Sequence, residues 1–190
     1  MKHTLRYNPL PQWRSNFNFN FYFFGLVDLC FELSNKLNIS KPMTMVEIGC
    51  YKGESTSIFA SSGIFEKITC IDPFEGDEEA LTLLNDDWDR VKKEYWTNTR
   101  HWDSINLIQD YSYKVVEAFK DNSLDFVYID GSHEYLDVKK DIELYLPKCK
   151  KVIGGHDYDR KGNIEVCNAV DEVLGVPDKV FKDSSWIKYL

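Results

Sequence analysis

The chain has 190 residues, 43% of them hydrophobic and 15% aromatic, with a formal net charge of −8. That length suits one domain with a proper core. The acidic balance argues against general binding to nucleic acid or to an anionic membrane, and no apolar run is long enough to span a bilayer.

The five cysteines, Cys30, Cys50, Cys70, Cys149 and Cys167, are widely spaced and form no CxxC pair. That usage predicts buried free thiols rather than a zinc site or a disulfide framework. With no signal-peptide h-region at the N-terminus, the expected location is cytoplasmic.

Residues 1–20 read as irregular, with Pro9, Pro11 and several asparagines, although Asn16 to Phe21 alternates with the period of a strand. Leu26, Leu29, Cys30, Leu33 and Leu37 recur at helical spacing and predict a helix over about 21–37. Residues 1–40 read as an extension that packs on the domain, covers a pocket as a lid or forms a dimer contact. A homo-oligomer is therefore left open.

Met45 to Ile48 then reads as a buried strand broken only by Glu47. Gly49 and Gly53 permit a tight turn, and Ser55 and Thr56 are placed to cap a helix beginning near Ile58. Lys67 to Ile71 is a second strand, ending at Asp72, Pro73 and Phe74. Ala80, Leu84, Trp88, Val91 and Tyr95 share one helical face.

Ile105 to Ile108 is a short third strand, followed by Asp110, Tyr111 and Ser112 and a helix carrying Val115, Val116 and Phe119. Leu124 to Asp130 is the fourth strand, and its helix carries Tyr135, Val138, Ile142 and Leu146. Lys151 to Ile153 leads into Gly154, Gly155, His156 and Asp157. A helix over 164–174 and a hairpin flanking Asp183 to Ser185 complete the pattern. Strands alternating with helices predict a single-domain α/β fold. It is a Rossmann-like, doubly wound, mostly parallel sheet with an antiparallel hairpin strand at the C-terminal edge.

In such a sheet the strand ends share one edge, so Glu47, Asp72, Asp110, Asp130, His133, His156 and Asp157 should converge there. Glu47 stands where a dinucleotide fingerprint would have its first glycine. A carboxylate there repels phosphate and suits an ammonium group. Asp72 lies 25 positions further on, near the spacing at which an acid takes ribose hydroxyls.

The spacing Glu47-x-Gly49-x-x-x-Gly53 resembles motif I of class I S-adenosylmethionine (SAM)-dependent methyltransferases. Asp-Phe-Val-Tyr-Ile-Asp-Gly-Ser-His-Glu-Tyr over 125–135 and Gly-Gly-His-Asp-Tyr over 154–158 narrow the likeness to the methyltransferase-24 type, a small-molecule O-methyltransferase branch. The resemblance implies a SAM-dependent transferase acting on a hydroxyl of a small sugar-like or phenol-like acceptor. It implies that Glu47, Gly49, Cys50, Tyr51, Gly53, Ser55 and Thr56 meet the methionine end of SAM. Asp72, Pro73 and Phe74 would meet the ribose, Asp110, Tyr111 and Ser112 the adenine, and Asp130 would border the cofactor. It also implies Asp130, His133 and His156 as catalytic residues, with His133 at the place of the acceptor's base.

Relatives often hold Mg²⁺ at the positions of Asp130, His156 and Asp157. The sequence departs from them at His156, because imidazole suits Mn²⁺, Fe²⁺ or Zn²⁺ better than Mg²⁺. Two other readings stand beside this one: a SAM-type fold that binds a partner without catalysis, and a nicotinamide-dependent oxidoreductase, which Glu47 disfavours.

Overall fold

The computed structural model describes residues 24–37, 39, 41–76 and 86–190. The alternating Phe stretch before residue 22, Ala80 and Leu84 lie outside them. Seven strands form one sheet in the order β3-β2-β1-β4-β5-β7-β6. They are β1 (Met43–Ile48), β2 (Phe65–Ile71), β3 (Ile105–Ile108), β4 (Leu124–Ile129), β5 (Cys149–Gly155), β6 (Lys179–Val180) and β7 (Trp186–Tyr189). The first five pair in parallel, and β7 runs antiparallel to both β5 and β6. The expected C-terminal hairpin is present, with β7 against β5 and the two-residue β6 outermost.

Among the described residues the helices are α1 (Phe24–Lys36), α2 (Glu54–Ser62), α3 (Trp88–Thr99), α4 (Ser112–Val115), α5 (Tyr135–Tyr145) and α6 (Ile164–Leu174). The period-two alternation of a strand sends neighbouring residues to opposite faces, and the core divides accordingly. Met43 and Met45 join Leu29, Leu33, Phe59, Phe126 and Tyr128 on the face covered by α1, α2 and α3. Val46 and Ile48 join Val127, Ile129, Ile142, Ile153 and Val170 on the face covered by α5 and α6. The helix expected over 21–37 is thus α1, whose Leu29 and Leu33 are fully buried in the domain's own core. The helix expected after β3 is a single turn continued by a 3-10 turn over Val116–Ala118.

Register places the site. Ile48 stands opposite Ile71 on one side and Ile129 on the other. Ile71 faces Ile108, and Ile129 faces Gly155. The residues that follow, Gln109, Asp72, Gly49, Asp130 and His156, therefore leave the sheet in one row. Strand order reverses about β1, which makes its carboxyl end the switch point of a doubly wound sheet. At the opposite end, Asp125 accepts from the Thr44 amide at 2.9 Å and pairs with Lys150 and Lys151 at 3.0 and 2.7 Å. That contact anchors the far edge. Among the described residues no helix is long and apolar enough to cross a membrane.

Gly49 shows how tightly the row is built. Its φ of 78° lies in the left-handed region, and a Cβ there would fall 2.1 Å from the Asp130 carbonyl oxygen. Gly63 has a similar φ of 69° with nothing within 4 Å of a Cβ. Gly63→Ala should cost about 1 kcal/mol, the backbone penalty alone. Gly49→Ala should cost about 3 kcal/mol or more, because backbone must also move. Urea unfolding of the two variants measures the difference, and equal costs would contradict the close approach of the β1 and β4 loops.

Candidate active site

The loop from Gly49 to Gly53 is held by one carboxylate. Asp72 Oδ2 accepts from the amides of Cys50 and Tyr51 at 2.9 and 2.8 Å, and Oδ1 accepts from the Phe74 amide at 2.8 Å. The loop closes on itself through the Gly53 amide to the Cys50 carbonyl, at 2.7 Å. Tyr51 adopts a left-handed φ of 43° within it. From the other side, Asn98 on α3 donates to the Lys52 carbonyl at 2.8 Å. The Lys52 ammonium pairs with Asp86 and Glu94.

Glu47 lies beneath this loop. It shares a strand face with Met43 and Met45, the face on which α2 packs, and is fully buried there. Oε1 accepts from Ser55 Oγ and Oε2 from Thr56 Oγ1, both at 2.5 Å. The Cys70 thiol lies 3.6 Å from Oε2. Burial pushes the Glu47 carboxyl up to about 7 against the pull of these donors. Ser55 and Thr56 therefore do not cap α2 as expected. Gly53 is the N-cap, at φ 74°, and the two hydroxyls serve the buried acid instead. A buried carboxylate without donors would cost more than an uncapped helix end.

At the tip of β3, Asp110 is partly exposed. It accepts from the Tyr111 amide at 2.8 Å and pairs with Lys114 at 3.2 Å. Ser112 turns inward and donates to Asp141 on α5 at 2.5 Å.

Beyond β4 and β5, four ionisable groups gather. His156 Nδ1 stands 3.2 Å from Asp157 Oδ2 and 3.9 Å from Asp130 Oδ1. His133 Nε2 stands 2.9 Å from the same Asp157 oxygen, and Asn163 donates to Oδ1 at 3.0 Å. Asp157 holds a left-handed φ of 59° in doing so. Behind the cluster, the Trp186 indole donates to the His156 carbonyl at 3.2 Å.

The electrostatics follow from these contacts. Burial lifts Asp130 to about 7 although the His156 charge opposes it. Burial disfavours the His156 cation, but the Asp157 contact and the Asp130 charge outweigh it and raise the imidazole to about 9. Asp157 is buried too, yet its two histidine partners hold it far below the usual carboxylate range. His133 is raised, chiefly by Asp157.

One ligand atom from each of Asp130, His156 and Asp157 lies within 4.8 Å of the others. Two carboxylates and an imidazole at that spacing fit a divalent ion, and the imidazole favours Mn²⁺, Fe²⁺ or Zn²⁺ over Mg²⁺.

Sequence reasoning missed Asn98, Asn163 and Asp141. The first two sit in loop-facing positions that spacing does not mark. Asp141 left a trace: with Val138, Ile142 and Tyr145 it completes the i, i+3, i+4, i+7 stripe of α5 that is buried against the sheet.

The family model described as Methyltransferase domain, of the methyltransferase-24 type, matches residues 46–158, more than half of the chain. The chain belongs to this family of class I SAM-dependent methyltransferases. An uncharacterized protein of Sinorhizobium fredii is 28% identical over 123 residues, covering 62% of this chain and 13% of that protein. One from Acanthamoeba polyphaga mimivirus is 30% identical over 143 residues, covering 70% of this chain and 59% of that protein. The chain thus spans less than two thirds of either relative. Among solved structures, the O-methyltransferase NovP is similar with a TM-score of 0.61 at 14% identity, over 86% of this chain and 78% of that one. A Staphylococcus aureus protein assigned as a caffeoyl-CoA O-methyltransferase gives a TM-score of 0.56 at 19% identity, over 85% and 80%. These likenesses show the fold.

Asp157→Asn removes the charge that both histidines face. Histidine titration by NMR should show His133 and His156 both falling toward the ordinary value of about 6.5. Unchanged titration of both would contradict the geometry of the cluster.

Proposed function

We propose that the chain is a SAM-dependent O-methyltransferase acting on a hydroxyl of a small sugar-like or phenol-like molecule. The observation that carries this reading is the convergence of Asp130, His133, His156 and Asp157 beside the glycine loop, at the switch point of the sheet. Bound SAM supplies a methyl group on a positively charged sulfur. The Gly49–Gly53 loop, with Cys50 and Tyr51, would border its methionine end. Asp72 retains acceptor capacity for ribose hydroxyls, because a carboxylate offers about four acceptor positions and three are used. Pro73 and Phe74 follow it, and Asp110, Tyr111 and Ser112 would meet the adenine.

The acceptor would approach between Asp130 and His133. His133 is half-exposed and held by Asp157, so its imidazole can be aimed at an incoming hydroxyl as general base. Its contact with Asp157 raises its pKa, so that role needs a higher pH than an ordinary imidazole would. Asp130, His156 and Asp157 would hold a divalent ion, whose contribution would be to lower the pKa of the acceptor hydroxyl. The rest of the work is positioning the two reactants.

Calorimetry with SAM tests the reading, first with Mn²⁺ and then with chelator. SAM should bind in both conditions, and Asp72→Ala should weaken it by about tenfold or more. A separate Mn²⁺ titration should show binding that Asp130→Ala removes. Failure of SAM to bind in either condition would overturn the methyltransferase reading, and failure of Mn²⁺ alone would leave His133 as the activating group.

A further inference from the structure

The turn between β6 and β7 carries a buried carboxylate whose two oxygens are treated differently. Asp183 Oδ1 accepts from the Ser185 amide at 3.0 Å, which holds the turn. Oδ2 is buried and meets no donor among the described residues. Asp183 is only 7% exposed, so an oxygen left in that state is costly. An asparagine carbonyl would serve the turn as well, without the charge. The chain also gives up a side chain to make room. A Cβ at Gly25, in the first turn of α1, would fall 1.8 Å from Oδ1 and 2.3 Å from Oδ2. Glycine weakens a helix, yet here it is what lets the carboxylate stand against α1.

The same turn brackets His156. Gly155 stands opposite Trp186 in the β5–β7 pair. Just beyond, the Trp186 indole donates to the His156 carbonyl at 3.2 Å, and the Ser184 carbonyl accepts from the Tyr158 amide at 3.0 Å. The Ser185 hydroxyl lies 3.1 Å from Tyr128 Oη, on the α1 side of the sheet, and Asp183 lies on that side too, against Gly25. The charges of His156 and Asp183 act on each other across the turn.

His156 presents one nitrogen to the cluster. Its ion-pair contacts with Asp157 and Asp130 are both made by Nδ1. An imidazole that gives Nδ1 to an ion keeps its single proton on Nε2. That N–H needs an acceptor, and a carboxylate commonly stands behind a metal-bound histidine. The Ser185 and Tyr128 hydroxyls are engaged with each other, whereas Asp183 Oδ2 is an acceptor without a donor. Resting on the metal reading above, we propose that Asp183 is a positioning residue of the metal centre: its Oδ2 takes the Nε2 proton of metal-bound His156 and holds the ring with Nδ1 toward Asp130 and Asp157. The negative charge behind the ring makes Nδ1 a stronger donor to the ion.

The test uses Asp183→Asn in the intact chain. The asparagine oxygen can keep the Ser185 amide, which turns its amino group toward the ring, donor against donor. Calorimetric titration should show Mn²⁺ affinity falling by about tenfold or more. Urea unfolding without metal should find the variant at least as stable as wild type, because a buried carboxylate has been removed. A purely structural carboxylate would give the reverse, lost stability with unchanged affinity. Nitrogen-15 NMR of the Zn²⁺-loaded wild type should show the His156 Nε2–H protected from exchange, and this reading serves if the variant fails to fold. An unprotected Nε2–H in the loaded wild type, or Mn²⁺ affinity unchanged in the variant, would overturn the role of Asp183. A wild type that binds neither ion would instead overturn the metal reading beneath it, and this role with it.

Discussion

One carboxylate fixes the geometry on which the site depends. Asp72 gathers the amides of Cys50, Tyr51 and Phe74, drawn from two different strand ends. Backbone amides in a tight turn have no partners within their own segment, and buried ones must find them elsewhere. Asp72 supplies those partners and thereby sets the distance between the β1 and β2 loops. The left-handed Tyr51, the glycine at 49 and the close approach to Asp130 all follow from a loop held that short. Glu47 does the complementary work from below, tying the start of α2 to β1 through Ser55 and Thr56. The loop is thus clamped on both sides by acids before any ligand arrives, which is the preorganisation that binding and catalysis both reward.

Across the row, the same kind of residue serves a different end. Asp130, Asp157, His133 and His156 neutralise one another, so the charges sit beside a buried sheet without great cost. Asp157 is the hub, facing both histidines through one oxygen and Asn163 through the other. This balance leaves His133 half in solvent and able to meet a second molecule. It also leaves an imidazole among the groups that could hold a metal. That departs from the all-oxygen sets that suit Mg²⁺ and changes which ions the site would accept.

Much of this was legible in the sequence because two physical rules are strict. Parallel strands buried on both faces read as apolar runs, and residues that follow them must share an edge, so Asp72, Asp130 and His156 could be grouped before any coordinates. The direction of Glu47 was less legible. Its place near the carboxyl end of β1 suggested an ammonium partner, whereas strand alternation turns it under α2, where Ser55 and Thr56 meet it. Asp141 was hidden because helical periodicity identifies a buried stripe by its apolar members and passes over the one acid among them. Asn98 and Asn163 were hidden for another reason. Asn98 reaches a loop far from it in sequence, and Asn163 bonds Asp157 six residues back across an irregular turn, and no periodic pattern encodes either contact.

The proposed function requires a cofactor lying over the ends of β1 and β2, gripped by the loop that Asp72 holds. Amide NMR of labelled protein during titration with S-adenosylhomocysteine tests that most directly. The amides of Cys50, Tyr51, Phe74 and Ser112 should shift together and saturate with one affinity, while Thr44, Lys150 and Lys151 at the opposite end of the sheet stay in place. Shifts confined to that opposite end, or none at all at saturating ligand, would contradict it.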